Sequence, residues 1–368
     1  LINHTIQQFI STYVIKKINY AISIWFLLIK CYNLYEKNIN KAVGKVEPKI
    51  RWAVCGLGRI SKRFVKVVTR LAKDAEIIAC VSSSKERALA YQKRFGLKYA
   101  LTYQELADNP TLVDAVYVCS NINKHSDNVK MFLNAKIPVL CEKAFSFNYS
   151  TALEMIECSK ENNTILMEAM WTRFLPATQF VKQITDSKEL GNISSLTGWF
   201  WAGIGHGPNS RIYKKETCGG SILDIGVYLV HYSLMLLGMP EKIEAAGKVI
   251  KDVDRWCNFS FFYPDGIRAK LSSSFRFLAI RESFTIKCDF GTIIIPRFFD
   301  AKRVIIKPAN GKKMIKRFKK IDGFLYEIEH FNQLIRDGKK ESPLMTHQRT
   351  LDVMRILEEL NRQLGVSF

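Results

Sequence analysis

A glycine turn between an apolar strand and a helix is the feature that most limits how this chain can fold. Residues 50–55, IRWAVC, are apolar and lack a helical period, and the stretch 59–72 after Gly56-Leu57-Gly58 has helical spacing. Glycines at such a turn let the backbone approach a pyrophosphate, which binds at the N-terminus of the helix. The sequence therefore predicts a dinucleotide site. The residues predicted to contact the cofactor here are Gly56, Gly58, Arg59 and Ile60.

Strands and amphipathic helices continue to alternate as far as about residue 168. Further buried strands are predicted at EIIACV (76–81), VDAVYV (113–118) and 137–141, with helices at 85–96 and 125–135 between them. This alternation is typical of crossover units that build a parallel sheet covered by helices on both faces. The sequence thus predicts an α/β fold whose N-terminal Rossmann domain spans 49–168.

The pattern changes after about Met170. Strand-like runs with alternating or aromatic character follow one another, joined by turn signals such as Pro264-Asp265-Gly266 and Asp289-Phe290-Gly291. Two helices are predicted near the end, at 323–340 and 349–365. These features predict a C-terminal α+β domain over 169–368 with an open, mostly antiparallel sheet.

Charge and cysteine content exclude some other functions. The net charge is +21, but the lysines and arginines are spread along the chain, and the densest run, KKMIKRFKK (312–320), alternates like an exposed strand at a sheet edge. We therefore expect no nucleic-acid partner, although a polyanion site at this run is the alternative. The nine cysteines are scattered and include no CxxC motif, which favours a reducing, cytoplasmic location and predicts no metal site.

Residues 1–48 differ in character and are interpreted as an extension of uncertain status. Their one apolar stretch, AISIWFLLI (21–29), is shorter than the roughly 20 residues that a membrane-spanning helix needs. Membrane association is therefore not expected. A signal or anchor within residues 16–30 remains the alternative, because lysines flank the apolar stretch.

The residues after the second strand favour NADP over NAD. Ser83, Ser84 and Lys85 stand where an acidic residue would accept the ribose 2′-hydroxyl of NAD, and hydroxyls with a cation suit a 2′-phosphate instead. The alternative is that a serine only caps the next helix.

Glu142 and Lys143 directly follow the strand at 137–141. Two opposite charges at the end of a buried strand either close it with a salt bridge or face a cleft where the lysine takes part in chemistry. The residues alone leave both readings open.

Several motifs in a fixed order resemble the glucose-fructose oxidoreductase/inositol dehydrogenase family. They are GLGRI (56–60), DAVYVCS (114–120) with His125, VLCEK (139–143), MEAMWTRFLP (167–176), GGSILDIGVY (219–228) and GKKESPL (338–344). The similarity covers residues 49–368 and favours the branch that oxidises trans-dihydrodiols and D-xylose. It implies an NADP-dependent oxidoreductase acting on a cyclic diol or aldose, usually as a homodimer through the C-terminal sheet.

The resemblance also implies roles for particular residues. Tyr228 is expected to donate or accept the proton, with Lys143 tuning it and Asp224 beside the substrate, since free tyrosine and lysine titrate too high to act alone at neutral pH. The further cofactor contacts expected are Ser120, Asn121, His125, Glu142 and Lys143, and the substrate contacts are Trp171, Arg173, Phe174 and Arg211.

Other interpretations of these residues stay open. Tyr228 could be a core aromatic, Asp224 could only begin a helix, and Trp171 and Phe174 could pack between domains. His206 is expected to be a loop residue and His231 to pack within its helix.

Two residues depart from the family pattern. Ala144 and Asn121 replace prolines, which removes a restraint on the backbone next to Lys143 and after the third predicted strand. These departures favour an alternative function, that of a catalytically impaired NADP-binding sensor or scaffold.

Overall fold

The computed structural model describes residues 47–203, 207, 210–277 and 279–368. Residues 49–368 form one unit, which is the subject of all that follows. The predictions for residues 1–46 and for His206 lie outside the described residues.

The N-terminal part contains a six-stranded parallel sheet in the order β3-β2-β1-β4-β5-β6. Its strands are β1 Ile50–Cys55, β2 Ala75–Val81, β3 Tyr99–Leu101, β4 Ala115–Val118, β5 Val139–Glu142 and β6 Leu166–Ala169, and its helices are α1 Arg59–Leu71, α2 Lys85–Phe95, α3 Tyr103–Ala107, α4 His125–Asn134 and α5 Tyr149–Glu161. The strand order reverses between β1 and β4, which opens a crevice at the carboxyl ends of these strands. The predicted Rossmann architecture is confirmed.

The C-terminal part contains an eight-stranded sheet in the order β14-β13-β12-β11-β7-β10-β9-β8. Its strands are β7 Ile193–Trp201, β8 Lys242–Ile250, β9 Val253–Phe262, β10 Arg268–Ser274, β11 Arg281–Cys288, β12 Gly291–Pro296, β13 Arg303–Pro308 and β14 Met314–Arg317. Among these described strands only β7 and β10 pair in parallel, so the predicted mostly antiparallel sheet is confirmed. The helices of this part are α6 Pro176–Asp186, α7 Val227–Leu237, α8 Phe324–Arg336 and α9 His347–Gln363.

Helix α7 fills the space against one face of this sheet and is buried along most of its length. By length and composition alone the stretch Lys215–Leu237 could cross a membrane, but 78% of its most apolar window is buried inside the fold. This burial is that of a core helix in a globular protein.

Helix α8 lies late in the sequence but packs on the N-terminal sheet. The indole N–H of Trp52 on β1 donates to Asn332 at 3.0 Å, and the Trp52 ring lies 5.2 Å from that of Phe331. At the end of α8, Arg336 pairs with Asp74 before β2 at 2.7 Å. The N-terminal domain is therefore completed by residues from the end of the chain.

The two edge strands of the eight-stranded sheet, β14 and β8, differ in what lies beside them. All four residues of β14 are exposed, and the strand lies within the basic run predicted to form a sheet edge. At the other edge, the side-chain amide of Gln363 from α9 accepts from the Ala245 N–H at 2.7 Å and donates to the Ile243 carbonyl at 2.9 Å. Gln363 therefore takes the place of a neighbouring strand along part of β8.

Candidate active site

The turn after β1 presents backbone to the crevice. Gly58 caps α1 and brings no side-chain hydrogen bond, so the first N–H groups of the helix are left for a ligand, and the space beside its Cα is open. Gly56 has a φ of +98°, and a Cβ there would lie 2.5 Å from the Ser120 nitrogen. Only glycine fits between β1 and the end of β4. The predicted contacts Arg59 and Ile60 form the first turn of α1.

Two of the residues after β2 that were predicted to bind the 2′-phosphate, Ser84 and Lys85, contact other groups of the protein. The Ser84 side chain accepts from the Arg87 N–H and so caps α2, which is the alternative raised from the sequence. Lys85 pairs with Glu105 on α3 at 2.6 Å. Burial raises the pKa of Tyr103, and Ser83 and the exposed Arg87, which the sequence analysis did not single out, lie close enough to oppose this shift. Arg87 thus adds a cation beside Ser83.

His125 holds together the loops that follow β4 and β5. Its Nε2 atom lies 3.1 Å from the Ser120 carbonyl oxygen, and its Nδ1 atom lies 3.1 Å from the Ala144 carbonyl oxygen. Burial lowers the pKa of His125 to about 4, so the ring is neutral near pH 7. The histidine therefore fixes the loop bearing Ser120 and Asn121 relative to the peptide that follows Lys143.

Lys143 reaches from the end of β5 to the segment before α7. Its Nζ atom donates to the Asp224 carbonyl oxygen at 2.5 Å and lies 3.6 Å from the Asp224 carboxylate. Arg211 contacts the same carboxylate at 3.2 Å from the outer side. The Lys143 side chain is 13% exposed, so a ligand in the crevice can reach it. Its charge is balanced by the Asp224 carboxylate. The ion pair of Lys143 is therefore with Asp224, and the Glu142 carboxylate accepts from the Lys143 backbone N–H.

Tyr228 lies directly behind this ion pair. The Lys143 ammonium sits over the tyrosine ring, 4.9 Å from its centroid. Burial raises the pKa of Tyr228 well above its usual value and the charge of Glu142 adds to this, while a hydrogen bond with Trp171 opposes it. Tyr228 consequently carries its proton at neutral pH.

An aromatic group surrounds Tyr228. The Phe299 ring meets Tyr228 edge-on at 4.9 Å and Trp171 edge-on at 4.6 Å, and Phe200 lies 5.8 Å from Tyr228. Arg63 from α1 lies over the Trp171 ring at 4.7 Å. Phe200 and Phe299 were not identified from the sequence, because an aromatic in a strand or a short turn gives no sign of which side it faces.

A buried acidic group lies beneath Lys143. The Glu142 carboxylate accepts from the Tyr117 hydroxyl and, at 3.1 Å, from the Lys143 N–H. Burial raises the pKa of Glu142, and it raises the pKa of Glu327 on α8 well above the usual range. Glu142 therefore supports the backbone of the lysine and does not line the open crevice.

Asp254 on β9 anchors the segment that carries Asp224 and Tyr228. Its carboxylate accepts from the Ser221 hydroxyl at 2.5 Å and from the Ile222 N–H at 3.0 Å. Gly220 has a φ of +116° and leaves space for this carboxylate, because a Cβ at position 220 would lie 2.2 Å from its other oxygen. Burial raises the pKa of Asp254 to about 6. The next residue, Arg255, stacks on Tyr213 at 3.8 Å and so holds the neighbouring turn that bears Arg211.

Two predicted substrate residues lie away from this cluster. Arg173 is buried and its Nε atom donates to the Leu344 carbonyl oxygen at 3.1 Å, while the Phe174 ring packs 4.9 Å from His330. Of these predicted residues, Trp171 belongs to the aromatic group around Tyr228. His231 on α7 contacts Glu168 on β6 at 3.2 Å and so packs across helices and strands, not only within its own helix.

The chain's residues fit a dinucleotide at this crevice. The uncapped N-terminus of α1, the open space at Gly58 and the close backbone approach at Gly56 suit a pyrophosphate. The lysine, aspartate and tyrosine cluster lies where the end of β5 meets α7. Among the described residues, no group of three or more histidines, cysteines or acidic residues is placed to hold a metal ion.

Family models match both parts of the chain. The model described as "Oxidoreductase family, NAD-binding Rossmann fold" matches residues 50–170, and the "GFO/IDH/MocA C-terminal domain" matches 178–294. The fold and the crevice define an oxidoreductase with a Rossmann cofactor domain. The chain belongs to the GFO/IDH/MocA family, as its sequence motifs indicated.

Individual relatives align over most of this chain. Trans-1,2-dihydrobenzene-1,2-diol dehydrogenase of Xenopus laevis is 31% identical, with 86% of this chain and 99% of the relative covered. The scyllo-inositol 2-dehydrogenase (NADP(+)) of Bacillus subtilis (strain 168) is 30% identical, with 87% and 98% covered. Aldose-aldose oxidoreductase from Caulobacter crescentus has a TM-score of 0.77 at 20% identity, covering 86% of this chain and 98% of that one, and shares the fold.

Proposed function

We propose that the chain is an NADP-dependent oxidoreductase that transfers a hydride between nicotinamide and a cyclic diol or an aldose. The observation that carries the proposal is the contact of Lys143 with both Asp224 and Tyr228 beside the glycine turn of the Rossmann domain. The names of the relatives, a dihydrodiol dehydrogenase and an NADP(+)-dependent inositol dehydrogenase, support the substrate class and the cofactor.

The side chains divide the proton chemistry between them. When bound, the nicotinamide supplies or accepts the hydride. Tyr228 holds a proton at its phenol oxygen because burial raises its pKa, which suits a proton donor in carbonyl reduction. Lys143 supplies a positive charge close to the Tyr228 ring that favours developing negative charge on oxygen. Asp224 orients the ammonium through its backbone and its carboxylate.

The walls next to Tyr228 suit a ring-shaped substrate. Phe299 is a partly exposed aromatic residue next to the Tyr228 ring and the Lys143 ammonium group, and Trp171 and Phe200 pack buried behind it. Binding sites of this kind are mostly apolar with a few polar groups that fix orientation. A dihydrodiol or a pyranose offers apolar faces and vicinal hydroxyls, which match both features.

The test is the formation of reduced nicotinamide, followed by absorbance, with a trans-dihydrodiol, D-xylose and scyllo-inositol. Each substrate is assayed with NADP⁺ and with NAD⁺, and NADPH binding is measured separately by fluorescence. Turnover with NADP⁺ on at least one substrate is expected. Tight NADPH binding without turnover on any of them would instead support the sensor function that the replaced prolines suggest.

We further propose that the open face of the eight-stranded sheet forms a homodimer. That face carries Trp199 and Trp201, whose rings lie 6.1 Å apart, and Phe277 stacks on Trp201 at 4.5 Å. A groove of about 600 Å³ runs beside them. Aromatic surface of this extent on an uncovered sheet face is typical of interfaces. Light scattering of the parent and of Trp199→Glu tests it: a dimer that dissociates in the variant is expected, and a parent monomer would refute it.

A further inference from the structure

A small cavity lies farther along α7 than the candidate active site. It has a volume of about 40 Å³ and lies between the turn Trp171–Phe174, α7 and α9. Its polar lining consists of Arg173, His231, Arg349 and Asp352. Since a water molecule needs roughly 10–15 Å³ by this measure, the cavity has room for a species larger than one water.

Two guanidinium groups lie side by side at this cavity. The Nε atom of Arg173 donates to the Leu344 carbonyl oxygen at 3.1 Å, and Nη1 of Arg349 donates to the same oxygen at 2.9 Å. Arg173 is only 7% exposed. Burial lowers the pKa of Arg173 to about 10, with a contribution from the charge of Arg349. Two like charges therefore meet here, of which Arg173 is buried and Arg349 is exposed on its outer side.

The nearby carboxylates do not neutralise this pair. In the part of the chain that the structure describes, no carboxylate oxygen lies within 4.0 Å of a guanidinium nitrogen of Arg173 or Arg349. Glu168 is engaged by His231 and Thr350, and Asp352 accepts a hydrogen bond from Gln348 at 2.8 Å. Two guanidinium groups and one carboxylate line the cavity, and Glu168 lies behind its His231 wall. A buried charge without a partner is strongly unfavourable.

We propose that this cavity binds one small monovalent anion of halide size between Arg173 and Arg349. Guanidinium groups bind anions through directed N–H donors, and here Leu344 fixes the orientation of both groups. Arg349 is exposed on its outer side, which gives the ion a route from solvent.

The position of the anion links it to the crevice. Arg173 belongs to the same short turn as Trp171, and His231 lies one turn beyond Tyr228 on α7. An ion that binds only the folded protein stabilises it by mass action. We therefore expect chloride to stabilise the packing between the turn at Trp171 and α7, and so the wall of the candidate active site.

The test uses chloride and bromide as the probes. Thermal unfolding of the full chain is measured in sodium chloride and in sodium gluconate at equal ionic strength, for the parent, Arg349→Gln and Arg355→Gln. Arg355 is an exposed arginine farther along α9 that stacks on Tyr149, so it is the matched control. A rise in Tm of a few degrees in chloride is expected for the parent and Arg355→Gln, and little or none for Arg349→Gln.

A crystal soaked in bromide locates the ion directly. An anomalous peak between Arg173 and Arg349, lost in Arg349→Gln, is the expected result. The proposal is overturned if no peak occupies the cavity, even when chloride raises the Tm, because the ion then acts elsewhere. It is also overturned if Arg349→Gln responds to chloride as the parent does.

Discussion

The ammonium group of Lys143 is bonded to the backbone carbonyl oxygen of Asp224 at 2.5 Å. This bond joins the end of β5 to the segment that leads into α7, and it holds the ammonium group over the Tyr228 ring. Lys143 and Asp224 are 81 positions apart in the sequence, so only the fold brings them together. The roles of Lys143, Asp224 and Tyr228 are coupled because moving any one of them moves the others.

We predict that Lys143→Met and Tyr228→Phe each lower turnover by about 10²-fold or more, as expected when a general acid or its partner charge is removed. The double variant should lose little beyond the larger single loss, because residues that act as a unit give non-additive effects. Steady-state kinetics with NADP⁺ and the best substrate measure this. Tyr232→Phe, a buried tyrosine one turn further along α7, is the control and should keep activity. Additive losses would mean that the two side chains act independently.

We predict that NADPH binds more tightly than NADH and that Arg87→Ala removes most of the preference. Arg87 is exposed near Ser83, whereas the charge of Lys85 is already engaged by Glu105. Lys85→Ala should therefore matter less than Arg87→Ala. Dissociation constants for both reduced cofactors by fluorescence give the ratio, with Arg94→Ala in the last turn of α2 as the control. Equal affinities in the parent would refute the NADP preference, and a larger effect at Lys85 would refute the role given to Arg87.

We predict that Asp254→Asn changes how stability depends on pH. The folded pKa of Asp254 is about 6, above the roughly 3.9 of an unfolded aspartate. The folded state binds more protons between these values, so this residue makes the parent less stable as the pH rises from about 4 to 6. Asparagine does not titrate, so the free energy of unfolding of Asp254→Asn relative to the parent should rise by about 3 kcal/mol over that interval.

Denaturant titrations at several pH values measure this difference. Asp252→Asn, at an exposed turn position two residues earlier, is the control and should follow the parent. Parallel curves for Asp254→Asn and the parent would show that Asp254 does not titrate in this interval.

We predict that Asn121→Pro stabilises the fold by about 0.4–1 kcal/mol. Asn121 has a φ of −68° and is exposed, and its side chain makes no capping hydrogen bond. Proline fixes φ near −65°, so it fits this backbone and restricts the unfolded chain. The free energy of unfolding is compared with that of Asn121→Ala, which lacks the ring. Destabilisation by proline would show that the loop needs the Asn121 N–H or a different backbone angle at Ser120.

The sequence predicted the elements whose patterns are long or chemically marked. Four of the six Rossmann strands, the glycine turn and the basic edge strand follow from local residue types. Strand β3 and helix α3 are too short to show a period, and β8 alternates between exposed and half-buried residues without an apolar face. No prediction covered these elements.

The motifs name residues that the structure brings together, and they do not name the neighbours whose direction is decided by packing. Lys143, Asp224 and Tyr228 meet as the motifs implied. Arg173 and Phe174 share their segment with Trp171 but turn to the opposite side, because the short helical turn Trp171–Phe174 points successive side chains in different directions. Asp254 supports the site from a strand that carries no motif, and only the fold brings it to Ser221.

The two edges of the large sheet restrict how copies of this protein can join. An unprotected edge strand is a template on which another chain can add, one strand at a time. At β14 the lysine and arginine side chains repel a second basic strand, and at β8 the Gln363 amide already occupies backbone donors and acceptors that a newcomer would need. Growth of the sheet into a fibre is thereby blocked at both ends, which leaves the broad face as the surface through which self-association can close on itself and stop.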